Sequence, residues 1–425
     1  MKEGSPISDT GTAPEAVVGR GKWRDAGELL ADRRFRRFFL GYATSLIGSS
    51  MAPVAMAFAV LDTGASATAL GLVFTAGVVP SIVLLLAGGV LADRVSRRTV
   101  MVVADIVCAA VQFVFAALIF TGTAELWSMM LLAAVRGGAA AFYQPALVAM
   151  PPDLVEPDRL QRANSFLALA KAIPDVAGPA IAGVLVVLGG SGVVLVVDGV
   201  SYLLSAVFLA GVRVPRRVVP ARASVVRDLR EDWTEFRSRR WVWTGVVQFA
   251  LWNMVVVAPF MVLGPVIARN ELGGAWAWGT IAAAQGAGAV LAGVVLLRVR
   301  VRRPLVTIVV VQLSWVLLLG FLALRLSLPV VAVAAFAVGI GSGVFIALWR
   351  TTEQTLIPRD VLSRVTSYEL LGAYALGPVG LAVVGPVSDA IGIAPVLWLG
   401  VAWQLLSSAA VLLLPEVRSI RLDRP

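Results

Sequence analysis

The sequence predicts an all-α integral membrane protein whose twelve transmembrane helices form two pseudo-symmetric six-helix bundles. Three observations carry that reading. The chain has 425 residues, 59% of them hydrophobic and 15% charged, and its mean hydropathy of +0.86 lies well above soluble-domain usage. Its apolar residues gather into runs of bilayer length. Its basic residues fall into alternate gaps between those runs.

A bilayer core takes about 20 apolar residues as a helix. On that ruler the first six spans are 38 to 61, 69 to 92, 99 to 121, 127 to 149, 164 to 188 and 193 to 212. The second six are 243 to 267, 275 to 297, 305 to 324, 329 to 350, 366 to 388 and 394 to 414. The first begins too far into the chain, and lacks the small-residue site after it, to be a cleavable signal peptide. Residues 1–34, rich in Gly, Ser, Thr and Pro at their start, are expected to be a disordered cytoplasmic segment. Residues 35–212 then form the first bundle, 213–242 a linker, 243–414 the second bundle and 415–425 a tail.

Lys and Arg set the orientation, because cytoplasmic loops carry the excess. The residues before span 1, the loops after spans 2, 4, 8 and 10, the linker and the tail hold 31 of the 36. The opposite face receives only Arg269 and Arg325, while Arg136, Lys171 and Arg350 lie in or near spans. Both termini are therefore expected in the cytoplasm. The net charge of +10 belongs to this topology, and a nucleic-acid partner, which needs its basic residues gathered on one solvated surface, is not expected. In the linker, Val225, Leu229, Trp233 and Phe236 recur at helical spacing among charges. That pattern fits a helix lying along the inner surface as well as a solvated tether.

Enzyme chemistry has little to stand on. With no histidine and one cysteine, Cys108, the common transition-metal ligand sets are missing and no disulfide can close within the chain. No GxxxxGK[ST] loop and no GxSxG elbow occur. No metal and no cofactor is expected.

The two halves look like copies of one unit. EPDRLQRANSF (156–166) follows span 4 and PRDVLSRVTSY (358–368) follows span 10, with Asp158, Leu160, Arg162 and Ser165 matching Asp360, Leu362, Arg364 and Ser367. Gly178 and Pro179 match Gly377 and Pro378 a little later. Six spans, a basic linker and six similar spans is the parallel-repeat plan of transporters that rock two halves about a central site.

GGVLADRVSRR (88–98) resembles the loop 2-3 signature of the major facilitator superfamily, G-x-x-x-D-R-x-G-R-[RK], with Gly89, Asp93, Arg94, Arg97 and Arg98 in place and Ser96 where the second glycine usually stands. GVVLLRVRVRR (293–303) is a degraded second copy that lacks the acid. AGPAIAG (177–183) is similar to the span 5 motif GPxxGG of the antiporting branch, carried by Gly178, Pro179 and Gly183, with Ala182 in place of one glycine. Arg136, in AVRGGAAAFYQPA, occupies the position of that branch's span 4 arginine, without the usual glutamine after it. The pattern looks most like bacterial exporters of drugs and siderophores. The resemblance implies a monomeric secondary transporter in the lipid bilayer that exports small organic molecules by alternating access, driven by protons. Import or uniport of a metabolite, and a transport-inactive sensor or scaffold, are the alternatives.

Charges within spans cost several kcal/mol unless paired or hydrated, which makes each a candidate for the proton or substrate pathway. Arg136 can bind an anionic or carbonyl-bearing substrate or favour the charged form of a carboxylate, and Asp105 and Asp198 are its candidate partners. Lys171 and Asp175, four apart, can neutralise each other, as can Arg350 and Glu353. Glu369 is a candidate proton site or inner gate residue. Trp252 with Asn253, Gln312 with Trp315, and Tyr374 are candidates to line an amphipathic pocket, whereas Trp127 and Trp241 read as interface anchors. Span 1 has no carboxylate in its interior; many proton-coupled relatives carry one there. Asp93 is expected to meet the N-terminal end of span 11, or Arg364, as a latch between halves.

Overall fold

The computed structural model describes residues 29–94, 96–213, 240–299, 301–357 and 374–421, with residues 366, 369 and 372; the side chains of 85–94 and 240 lie outside the description. Among the described residues the regular structure is helical. Ten helices among these residues are long and apolar enough to cross a membrane, and Gly377–Ile391 is a shorter apolar one. In chain order they are α1 (Arg33–Asp62), α2 (Ala67–Arg94), α3 (Arg97–Thr121), α4 (Leu126–Ala149), α5 (Leu160–Ala210), α6 (Trp241–Leu272), α7 (Ala275–Leu296), α8 (Pro304–Ala323), α9 (Leu328–Leu356), α10 (Gly377–Ile391) and α11 (Ile393–Leu413).

α5 accounts for two of the expected spans. Its 51 residues would make a straight rod of roughly 75 Å, more than twice a bilayer core. The rod is turned at Gly190, whose φ of 79° and ψ of 167° belong to a backbone that glycine adopts without a Cβ clash. Two arms, 160–189 and 191–210, therefore run back to back, which restores twelve crossings. An even number of crossings brings the start of α1 and the end of α11 to one end of the bundle, here the termini end; the opposite is the far end.

α1 begins at Arg33, five residues before the apolar run, because Asp32 accepts the Arg34 amide at 2.7 Å and starts the helix. Phe35 in this extension and Phe38 at the start of the run are fully buried. α6 contains two π-helical turns, Asn253–Val257 and Ala268–Leu272. Pro259 explains the first: it has no amide hydrogen to offer Val255 one turn back, and its ring crowds that carbonyl. The freed carbonyl lies against Gly400 of α11, where a methyl group would stand 2.9 Å from it.

Two seams join the halves. The first arm of α5 packs against α7, and α2 packs against α10. Small residues set both approaches. A methyl at Gly183 would stand 2.7 Å from the Ala275 carbonyl oxygen, and one at Gly286 would stand 2.9 Å from that of Asp175. Gly279 lies directly on the Pro179 carbonyl. In the other seam Thr75 donates to the Pro378 carbonyl at 3.3 Å, Gly71 abuts Leu381 and Gly385 abuts Thr68. The repeated Gly-Pro pair thus contributes its proline carbonyl to each seam. At the far end Thr68 Oγ1 donates to Asp389 at 2.8 Å, and Arg269 of α6 stands 3.8 Å from Asp62 of α1.

The loop 2-3 arginines clamp α3 within the first half. Arg97 pairs with Asp153 at 2.5 Å and donates to the Ala149 carbonyl at 2.7 Å. Arg98 reaches the carbonyls of Ala210 and Val212 at 3.3 Å each, where a helix C-terminus attracts a cation. Ser96 precedes α3 with φ of −55°, so this turn makes no demand for glycine. The helical backbone of α2 includes Gly89, Asp93 and Arg94, but their side-chain surroundings, and Arg364 with the expected latch, lie outside the described residues, as do the linker helix and residues 1–28.

Candidate functional site

The C-terminal half encloses a cavity of about 310 Å³. It extends from Trp241, Leu305 and Val417 at the termini end to Trp252, Gln312 and Gln404 deep between the helices. Its wall is a run of aromatic rings. Trp241 and Trp349 meet edge-on at 5.8 Å, Trp349 stacks on Phe345 at 6.0 Å, and Phe345 lies nearly parallel to Phe249 at 5.3 Å. Phe249 then touches Tyr374 at 6.0 Å and Trp252 at 5.1 Å, and Trp252 meets Trp315 at 5.3 Å. Such contacts contribute about 0.5–1.5 kcal/mol each beyond their apolar burial, and the wall offers π faces.

Sequence periodicity alone does not separate these rings from ordinary core. The ring partners of Trp252 are Phe249 on its own helix and Trp315 of α8, met just where α6 widens into the π turn at Asn253–Val257. Asn253 itself donates to the Phe249 carbonyl at 3.0 Å, and Trp315 is buried behind Trp252. The structure therefore brings Trp252, Gln312, Tyr374 and Glu369 to the cavity and places Asn253 and Trp315 in its support. Trp241, expected as an interface anchor, lines the cavity mouth.

Polar groups are few and placed at intervals. Gln404 donates to Ser408 at 3.1 Å, while its Oε1, Gln312 Oε1 and Trp252 Nε1 are buried without a hydrogen-bond partner among the described residues. Unpaired buried polar atoms carry a desolvation cost, and three beside one cavity mark it as a place for a polar guest. Near the termini end, Glu369 accepts from Trp349 Nε1 at 2.7 Å, and Arg350 donates to Glu353 at 3.1 Å. Glu353, only 1% exposed, stands within hydrogen-bonding reach of Glu369. The Arg350 and Glu353 pair follows from their spacing; the contact with Glu369 joins two helices and has no local sequence signal.

The first half holds a different polar group. On α3, Asp105 and Gln112 are seven apart; on the second arm of α5, Asp198 and Ser205 are also seven apart. The helices pair antiparallel, so Ser205 donates to Asp105 at 2.6 Å and Gln112 donates to Asp198. Asp105 is 1% exposed and Asp198 and Gln112 are fully buried. Arg136 of α4 enters this cluster beside Tyr202 and Asp198. Its Nε is buried without a hydrogen-bond partner among the described residues. Gly48 of α1 lies against Asp198, and this group does not line the cavity.

The remaining motif residues lie in close helix contacts. Gly178 lies against Ser50 of α1, and Gly183 and the Pro179 carbonyl face α7. Their partners Gly279 and Gly286 are not evident from the sequence, because close approach is a property of a pair of helices. Lys171 and Asp175 pair at 2.5 Å on an exposed face.

Comparison with known proteins agrees with this architecture. The family model for the Major Facilitator Superfamily matches residues 38–380. Macrolide efflux protein A of Streptococcus pyogenes is 27% identical over 244 residues, covering 57% of this chain and 60% of that protein, so this match spans less than two thirds of the relative. Multidrug efflux pump Tap of Mycolicibacterium fortuitum is 27% identical over 398 residues, covering 89% and 95%. Among solved structures, a bacterial homologue of the iron transporter ferroportin in an inward-facing state superimposes with a TM-score of 0.70 at 16% identity, covering 91% of this chain and 99% of that one. Nucleoside transporter NupG does so with a TM-score of 0.66 at 13% identity, covering 89% and 98%; at such identities the likeness is one of fold. The chain belongs to the Major Facilitator Superfamily, a family of membrane transporters rather than enzymes.

Proposed function

We propose that this protein exports small, amphiphilic organic molecules across a bacterial cytoplasmic membrane by alternating access, in exchange for protons. It acts as a monomer without a cofactor, with both termini in the cytoplasm. The observation that carries the proposal is the aromatic cavity reaching the termini end while the far end is closed by packed glycines and by Thr68 with Asp389. With cytoplasmic termini, that arrangement fits the inward-open state of alternating access. A cavity of about 310 Å³ stands at the lower end of drug-binding pockets, and its few polar groups set orientation without demanding one substrate. Resemblance to proteins named as macrolide and multidrug efflux pumps supports the outward direction.

Alternating access requires the seams to part at the far end while the halves meet at the termini end. Close backbone contacts suit this motion, since they hold two surfaces in register without interlocking long side chains. The test uses inverted membrane vesicles and a fluorescent amphiphilic cation such as ethidium. Acidifying the vesicle interior is expected to drive accumulation, and a protonophore to abolish it. Accumulation that ignores the proton gradient would overturn the antiport.

A further inference from the structure

We infer that Glu353 and Glu369 share a single proton and that a basic organic cation entering the aromatic cavity displaces it. Glu353 lies on α9 and Glu369 on the segment before α10; Glu369 accepts from Trp349, one turn before Glu353 on α9, which brings the two carboxyl groups together. Each has one satisfied oxygen, bound by Arg350 in Glu353 and by Trp349 in Glu369. Each also has one buried oxygen, Glu353 Oε1 and Glu369 Oε2, with no hydrogen-bond partner among the described residues. Two carboxylates supply only acceptors, so neither can satisfy the other. One proton placed between them turns one group into a donor and removes the like-charge repulsion.

The surroundings hold that pair at a defined charge. Among the described residues Arg350 is the charged side chain beside it, and with one proton present these three groups together are neutral. From α6, Trp241, Thr244 and Gln248 line the adjoining wall, and from α11, Gln404 and Ser408; Tyr374 stands on the same cavity. Loss of the proton leaves one net negative charge at the edge of a cavity walled by tryptophan and phenylalanine. Those are the two features that bind an amphiphilic cation, a counter-charge and π faces. The exchange balances: the proton leaves the carboxyl pair for solvent, the cation takes its place, and no covalent bond changes. This inference deepens the proposed antiport and rests on it for its role in transport, but the shared proton can be read without any transport.

The test uses the full-length protein in detergent at neutral pH. Infrared difference spectra, wild type minus Glu353→Gln and wild type minus Glu369→Gln, are expected each to contain a protonated carboxylic C=O band, because either substitution frees the remaining acid to ionise. Loss of carboxylate bands alone in both spectra would overturn the shared proton. Binding of tetraphenylphosphonium, followed with a pH indicator in weak buffer, is expected to release one proton per cation in wild type and none in Glu369→Gln. Stoichiometric binding without proton release would overturn the displacement. Glu369→Asp, which keeps the acid, separates a folding failure from a chemical one: restored proton release supports the assignment, and a folded Asp variant that binds without release contradicts it. If band and release are present but vesicles show no gradient-driven flux, the transport reading fails and the proton site stands.

Discussion

Each half of the molecule buries a pair of carboxylates, and the surroundings of the two pairs differ. In the first half, Asp105 and Asp198 are held by uncharged donors, Ser205 and Gln112, on helices that pair along their length, and Arg136 is packed in beside Asp198. In the second, Glu353 and Glu369 stand against each other, and Glu369, Arg350 and Trp349 border the cavity. An acid whose partners are neighbouring helices fixes those helices; an acid at a cavity wall can exchange its partner. The first pair joins helices away from the cavity and keeps Asp198 Oδ1, Gln112 Oε1 and Arg136 Nε buried without a hydrogen-bond partner among the described residues, while the second pair borders the cavity.

Three substitutions sharpen that contrast, from the largest effect to the smallest. Asp198→Ala strands the buried Gln112 amide and leaves Arg136 without its neighbouring carboxylate, so it is expected to lower stability by about 1–3 kcal/mol. Thermal unfolding in detergent reads this, and the folded fraction should bind tetraphenylphosphonium as wild type does. Weakened binding with unchanged unfolding would reverse the roles given to the two halves. Tyr374→Ala removes a half-exposed ring from the cavity and is expected to weaken binding of the same cation by up to about tenfold, the equivalent of about 1.4 kcal/mol, with little change in unfolding temperature. Lys171→Gln breaks an ion pair whose side chains are 56% and 46% exposed; with water reaching the pair a stability change within about 0.5 kcal/mol is expected, and a larger one would show that lipid surrounds it.

Much of the architecture is legible in the sequence because the bilayer imposes it. Length and hydropathy set the spans, and the lone residue with non-helical angles in α5, Gly190, falls in the gap between the fifth and sixth runs. The arginines that the sequence leaves at the far end are each met by an acid there, Arg269 by Asp62 and Arg325 by Glu271 at 3.4 Å. The site is less legible for a physical reason. In a soluble protein polarity distinguishes a helix's buried face, but in a chain whose lipid-facing and core-facing residues are both apolar, rings such as Phe249, Phe345 and Trp349 carry no such mark. Local spacing reveals Arg350 with Glu353 and Lys171 with Asp175. It cannot reveal Glu353 with Glu369, or Gly279 on Pro179, since those contacts exist only once helices distant in sequence are packed.

The most direct test of the account holds the far end closed. In a Cys108→Ser background, Thr68→Cys with Asp389→Cys places two thiols where the native side chains hydrogen-bond across the halves, and a short bifunctional thiol reagent whose linkage a reductant can cleave joins them. The account predicts that the joined protein still binds tetraphenylphosphonium from the termini side but ceases gradient-driven flux, and that reduction restores it. Flux at the unjoined rate with the link intact would contradict alternating access through this cavity.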